Sequence, residues 1–154
     1  MASTVIITGA SQGIGKATAL RFAQNGYNLV LASRTVDRLN ATAEELKSIA
    51  PRVTAIPTDT RDAAQVKTMI DRAISEYGSI DVLVNNAGVY ISGPADSFSL
   101  EDWHTTIDTN LWGYIHTIHA LLPHFISQGR GMIVNVISSG GKVPIPYLVP
   151  YTTS

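Results

Sequence analysis

Apolar residues in this chain fall into short β-branched runs, separated by longer stretches in which they recur every three or four positions. The runs predict strands at Val5–Thr8, Leu29–Ala32, Val53–Ile56, Val82–Asn85 and Met132–Ile137, and the longer stretches predict helices over Ile14–Asn25, Val36–Ile49, Ala63–Tyr77 and Leu100–Ser127. Gly26 and Gly78 stand where the first and third helices would end in a left-handed residue, and Asp62 and Ser99 stand where a side-chain oxygen can cap a helix start. Pro123, inside the last helical stretch, predicts a kink. Strands and helices in strict alternation build an α/β fold, a doubly wound parallel sheet with helices on both faces. Right-handed crossovers then leave the loops at the carboxyl ends of the strands to form a ligand crevice.

A length of 154 residues with 45% hydrophobic content fits a single domain over residues 1–154 with a substantial core. Eleven basic and twelve acidic residues give a formal charge of −1 without a block of one sign, which argues against a nucleic-acid or membrane-surface partner. There is no cysteine, so disulfides and thiolate metal sites are excluded. The start Met1-Ala2-Ser3-Thr4-Val5-Ile6-Ile7-Thr8 has no basic region and too short an apolar run for a signal or a span, so a cytoplasmic protein is expected. His116 and His119 could share a helix face, but they lack a third ligand at metal-binding spacing and are expected to be ordinary histidines.

The strongest chemical signal is the turn Thr8-Gly9-Ala10-Ser11-Gln12-Gly13-Ile14-Gly15 between the first strand and the first helix. Glycines there let backbone N–H groups and a helix N-terminus approach a pyrophosphate that side chains would block. This turn is similar to the TGxxxGxG turn of short-chain dehydrogenases/reductases, and Asn85-Asn86-Ala87-Gly88 resembles their NNAG signature. Asn110, Ser138 and Tyr151 fall, in order and at family spacing, where that family has its catalytic asparagine, serine and tyrosine.

The resemblance implies a Rossmann-type fold, a nicotinamide cofactor and interconversion of a carbonyl and an alcohol. It implies cofactor contacts from Gly9, Ser11, Gly13, Ile14, Gly15, Asn86, Ala87, Gly88 and Tyr151, with Asp59 near the adenine ring. The second strand runs into Ala32-Ser33-Arg34-Thr35, where no carboxylate occupies the position that would favour NAD(H). Ser33 and Arg34 suit the 2′-phosphate of NADP(H), which is the expected cofactor, NAD(H) remaining possible.

The catalytic group makes chemical sense from its parts. A hydride delivered to a carbonyl carbon leaves an alkoxide, so Tyr151 would donate the proton while Ser138 holds the oxygen. A free phenol titrates near 10, so about 4 kcal/mol of tuning is wanted for work at neutral pH. In the family a lysine four residues after the tyrosine does this and also binds the nicotinamide ribose; Asn110 would hold a water linked to it. Position 155 lies beyond Ser154, so the tetrad is represented by three members.

Two readings follow. In one, the sequence is an incomplete copy of a longer reductase, truncated before its lysine, inactive as it stands, with Met132–Ile137 at an uncovered sheet edge. In the other, it is a dinucleotide-binding or regulatory module without catalysis. Tyr90, Ile91 and Val143–Val149 would line the substrate side, hinting at an apolar carbonyl compound, and a homo-oligomer is expected from the family for the whole protein.

Overall fold

The computed structural model describes residues 2–154. Five strands, β1 (Thr4–Thr8), β2 (Asn28–Ser33), β3 (Val53–Pro57), β4 (Val82–Asn85) and β5 (Met132–Asn135), form one parallel sheet in the order β3-β2-β1-β4-β5. Helices α1 (Gly13–Gln24), α2 (Val36–Leu46) and α3 (Ala63–Tyr77) make the crossovers between the first four strands. Helices α4 (Leu100–Ile107) and α5 (Gly113–Gln128) lie between β4 and β5, and α6 (Val149–Thr153) follows β5. Strand order reverses between β1 and β4, the switch point at which a doubly wound sheet opens its crevice.

Alternation along the strands divides the core in two. Val5, Ile7, Leu29, Leu31 and Val84 pack against α1 and α2 through Ala19, Ala23, Leu39, Ala43 and Leu46. Ile6, Val30, Ile56 and Leu83 face the other way, onto Val66, Met69, Ile70 and Ala73 of α3 and Leu121 and Phe125 of α5. In the parallel register Ile6 lies opposite both Val30 and Leu83, so the three central strands are covered on both faces. Each fully buried leucine or isoleucine there contributes about 1.5–3 kcal/mol relative to exposure.

Three features differ from the pattern-based expectation. The helical stretch expected over Leu100–Ser127 runs on to Gln128 and changes to a π-helical turn over Asp108–Trp112, with Pro123 inside α5. Tertiary contacts act on that turn: Asn110 bonds the loop after β4, and a Cβ at Gly113 would lie 2.9 Å from Thr60 Oγ1. Strand β5 ends at Asn135 rather than Ile137, because β4 ends at Asn85 and offers its last carbonyl to the Val136 N–H. Helix α2 ends at Leu46, and the chain to Ala50 is a turn closed by the Ala50 N–H on the Leu46 carbonyl. Met132 is 59% exposed, and among the described residues β5 pairs with β4 alone, which places it at the sheet edge as expected.

Gly26 and Gly78 both take positive φ, and both expected caps form. Asp62 accepts from the N–H groups of Ala64 and Gln65, and Ser99 and Asp102 make a reciprocal capping box. No helix among the described residues is long and apolar enough to cross a membrane.

Buried polar groups tie the sheet to α5. The Thr117 hydroxyl donates to Asn85 Oδ1 at 2.6 Å, and Asn85 Nδ2 donates to Asn135 Oδ1 at 3.0 Å. Asn85 and Thr117 are fully buried. Thr117→Val removes the donor and leaves the Asn85 carbonyl group without it, so urea unfolding at neutral pH should show a loss of about 1–3 kcal/mol.

The caps add a pH dependence. Hydrogen bonds from Gln65, its backbone N–H foremost, and from Ala64 hold the Asp62 carboxyl below the usual carboxylate range, and Ser99, chiefly through its hydroxyl, does the same for Asp102. A lowered folded pKa means stability that is complete above the ordinary carboxylate value and is lost as pH falls through the lowered one. Urea midpoints of the wild type should therefore fall more between about pH 5 and about pH 3 than those of an Asp62→Asn, Asp102→Asn double variant.

Candidate active site

The crevice begins where β1 meets the first helix. Gly9 and Gly13 take φ of +65° and +56°, a region open to glycine at no steric cost. At Gly15 the constraint is space, since an added Cβ would stand 2.3 Å from the Gly9 carbonyl oxygen and 2.5 Å from Asn86 Nδ2. That closeness comes from lacing between two loops. Asn86 Nδ2 donates to the carbonyls of Thr8 (3.0 Å) and Gly9 (3.3 Å), while Thr8 Oγ1 accepts from the N–H groups of Asn86 (3.0 Å) and Ala87 (3.1 Å). Gln12 precedes α1 without a side-chain cap, so the first-turn N–H groups have no side-chain partner there.

Above this turn lies a cavity of about 360 Å³. Of the residues expected to touch a cofactor, Gly9, Ser11, Gly13, Ile14, Ser33, Arg34, Asn86, Ala87 and Gly88 line it. Gly15, Asp59 and Tyr151 do not. Gly15 sits beneath the turn, and Asp59 turns its carboxylate to Arg61, 2.7 Å away, which holds it below the usual range. Its neighbours Thr58 and Thr60 face the cavity instead, and Gln12, Thr35, Val89 and Thr109 complete the wall. The pattern Thr-Asp-Thr after a strand could have pointed to both threonines, since alternate residues share a face. Among the described residues Arg34 is the one charged side chain in the lining. Ser33 and Ser11 meet hydroxyl to hydroxyl at 2.9 Å beside it, and Arg38 reaches Gln12 Oε1 at 2.7 Å.

At its other end the cavity wall, through Val89 and Thr109, adjoins Asn110. The Asn110 amide holds both backbone groups of Val89, accepting from its N–H and donating to its carbonyl at 2.9 Å each. Nδ2 also donates to Ser154 Oγ at 2.9 Å, which ties the π turn to the end of α6, the helix that carries Tyr151. The Tyr151 ring meets Tyr90 edge to face with centroids 6.2 Å apart. Ser138 follows β5 and accepts from the Gly140 N–H at 3.1 Å, while Ser139 opens a 3₁₀ turn. Because the sheet is parallel, the loops carrying Asn86, Val89 and Ser138 all leave the same edge.

Of the residues expected on the substrate side, Tyr90 and Tyr147 are 70% and 65% exposed, and Val143 is exposed as well. Tyr147 takes φ of +65°, unusual for a residue with a side chain, and its carbonyl accepts from the Gly93 N–H at 2.9 Å, joining the two loops that flank Tyr151. His116 bonds the Thr60 carbonyl through Nδ1, and among the described residues no group of three side chains could hold a metal.

Comparison with known proteins agrees with this geometry. The chain is 43% identical, over 95% of its length, to sulfoacetaldehyde reductase 2 of Chromohalobacter salexigens, and 36% identical over its whole length to the 3-oxoacyl-[acyl-carrier-protein] reductase FabG of Staphylococcus aureus. It spans 58% and 63% of those two relatives. Among solved structures, a short chain dehydrogenase/reductase from Burkholderia phymatum in complex with NAD superposes with a TM-score of 0.96 at 31% identity, over 99% of this chain and 54% of that one. An alcohol dehydrogenase from Thermococcus sibiricus complexed with 5-hydroxy-NADP gives 0.94 at 33%, over 99% of this chain and 65% of that one. With the short chain dehydrogenase pattern matched over residues 3–154, on a parallel sheet whose switch point carries the glycine cradle, this chain belongs to the short-chain dehydrogenase/reductase family.

Proposed function

We propose that the protein is an NADP(H)-dependent oxidoreductase that interconverts a carbonyl and an alcohol. The observation that carries this reading is one continuous arrangement: a cavity in whose lining Arg34 is, among the described residues, the one charged side chain runs over the glycine turn to Val89, which Asn110 links to the helix of Tyr151.

The residues present fit a dinucleotide. Uncapped N–H groups at the start of α1, above glycines that admit no Cβ at position 15, would hold the pyrophosphate. Arg34 with the hydroxyls of Ser33, Ser11 and Thr35 would pair with a 2′-phosphate, where a carboxylate would repel it. Thr58 and Thr60 would border the adenine, with Asp59, kept ionised by Arg61, between them. Asn86, Ala87 and Gly88 would lie along the ribose on the nicotinamide side. Bound there, the nicotinamide would supply or accept the hydride.

This chain's own residues handle orientation and the proton. Ser138 would donate a hydrogen bond to the carbonyl oxygen, and the Tyr151 phenol would give that oxygen its proton as charge develops. By likeness to the family, the tuning of Tyr151 is assigned to a lysine four residues later, at position 155. Asn110 keeps the Val89 loop and α6 in one arrangement.

Around Tyr151, the segments 89–99 and 136–154 contain one cation, Lys142, against the exposed apolar surface of Tyr90, Val143, Ile145 and Tyr147. That surface favours an apolar ketone or aldehyde over an anionic one such as the sulfoacetaldehyde named for the relative. Homo-oligomerisation belongs to the same reading, supported by the exposed stripe of Ile115, Leu122 and Ile126 on α5, as does a cytoplasmic location, which the absence of cysteine suits.

Calorimetric titration of Arg34→Ala should show NADPH binding weakened about 10- to 100-fold with NADH changed by less than about threefold, the loss of charge-assisted hydrogen bonds to one phosphate. Equal weakening of both cofactors would take the 2′-phosphate away from Arg34. In the natural gene product Tyr151→Phe should cut NADPH oxidation by an apolar aldehyde by at least about 100-fold while leaving NADPH affinity within about threefold. Faster turnover of sulfoacetaldehyde than of the apolar aldehyde by the wild type would overturn the substrate assignment.

A further inference from the structure

Tyr114 stands in the first turn of α5, immediately after the π turn that holds Asn110. Its hydroxyl crosses from the helix layer to the sheet and donates to the Val136 carbonyl at 2.9 Å. The N–H of Val136 donates to the Asn85 carbonyl at 2.8 Å. Val136 is thus gripped on both sides, by β4 through its N–H and by α5 through its carbonyl, one residue after β5 has ended. Two residues further along the chain is Ser138, whose Oγ accepts from the Gly140 N–H. Helix α5 is itself a firm support, because Thr117, three residues after Tyr114, is bonded to Asn85 in the buried network.

The phenol is suited to this task. Burial pushes Tyr114 up to about 12, with the charge of Tyr151 as a smaller cause in the same direction. Tyr114 therefore remains a protonated donor at neutral pH. With its one proton committed to Val136, it supports the site without giving that proton to Tyr151.

We propose that Tyr114 is a positioning residue of the site described above, fixing the Val136 carbonyl and through it the place at which Ser138 presents its hydroxyl. This rests on the proposed function, in which Ser138 holds the substrate oxygen. Among the described residues Tyr114 neither lines the cavity nor hydrogen-bonds the glycine turn, so its loss should act on turnover and not on cofactor binding.

The test is Tyr114→Phe in the natural gene product, which keeps the ring and removes only the hydroxyl. Hydrogen exchange at the Gly140 amide, the reporter of the Ser138 Oγ, should become about tenfold faster while the core amides of Ile6 and Leu83 keep their protection. Turnover per NADPH-binding site should fall about tenfold, and the deuterium isotope effect with deuterated NADPH should rise as a misplaced carbonyl makes hydride transfer more rate-limiting. NADPH affinity should stay within about twofold, a split that general destabilisation would not produce. Unchanged exchange at Gly140, or unchanged turnover per binding site, overturns the proposal. A wild type that binds NADPH and reduces no carbonyl, or a Ser138→Ala variant with full turnover, overturns the proposed function instead and leaves amide exchange to decide the role of Tyr114.

Discussion

The close approach of the loops after β1 and β4 is the constraint on which the rest of the structure depends. Asn86 reaches across to the carbonyls of Thr8 and Gly9, and Thr8 answers with its hydroxyl to the N–H groups of Asn86 and Ala87. That distance makes a side chain at position 15 impossible without moving backbone. It also leaves the first turn of α1 uncapped by any side chain and facing the cavity. The same lacing therefore shapes the turn and clears room for a ligand, with no strain beyond the positive φ that glycine accepts.

A second set of polar contacts organises the end of the sheet. Thr117, Asn85 and Asn135 run from α5 through β4 to β5, and Asn110 and Tyr114 extend the pattern to the Val89 loop, to α6 and to Val136. Fully satisfied networks of this kind rigidify what they connect, because each buried partner is costly to leave unpaired. Val143 and Tyr147, held through backbone hydrogen bonds to Ser139 and Gly93, expose their side chains.

Most of the sheet and its helices could be read from periodicity, because strands buried on both faces need unbroken apolar runs and covering helices need one apolar stripe. The glycine turn was legible through its likeness to the TGxxxGxG turn of the family, since a glycine turn between a strand and a helix is by itself also a plain structural device. The positive charge of Arg34 after the second strand was legible too, because residue type alone decides charge. The π turn was not, since nothing in Asp108–Trp112 demands a wider turn, and it is the bond from Asn110 to Val89, 21 positions away, that accompanies it. Thr58 and Thr60 were less legible, because the family likeness points to the carboxylate between them, which the structure turns to Arg61.

Sequence by itself determined the α/β architecture, the glycine cradle and the positive charge at the end of β2, all of which follow from local steric and electrostatic rules. Tertiary structure decided which neighbours those residues meet: Asp59 with Arg61, Asn110 with Val89 and Ser154, Tyr114 with Val136. These pairings join residues that are distant in the chain, or depend on which of two adjacent side chains faces the cavity. Hydrogen bonds act over about 3 Å, a scale on which spacing along the sequence carries no information until the fold has closed.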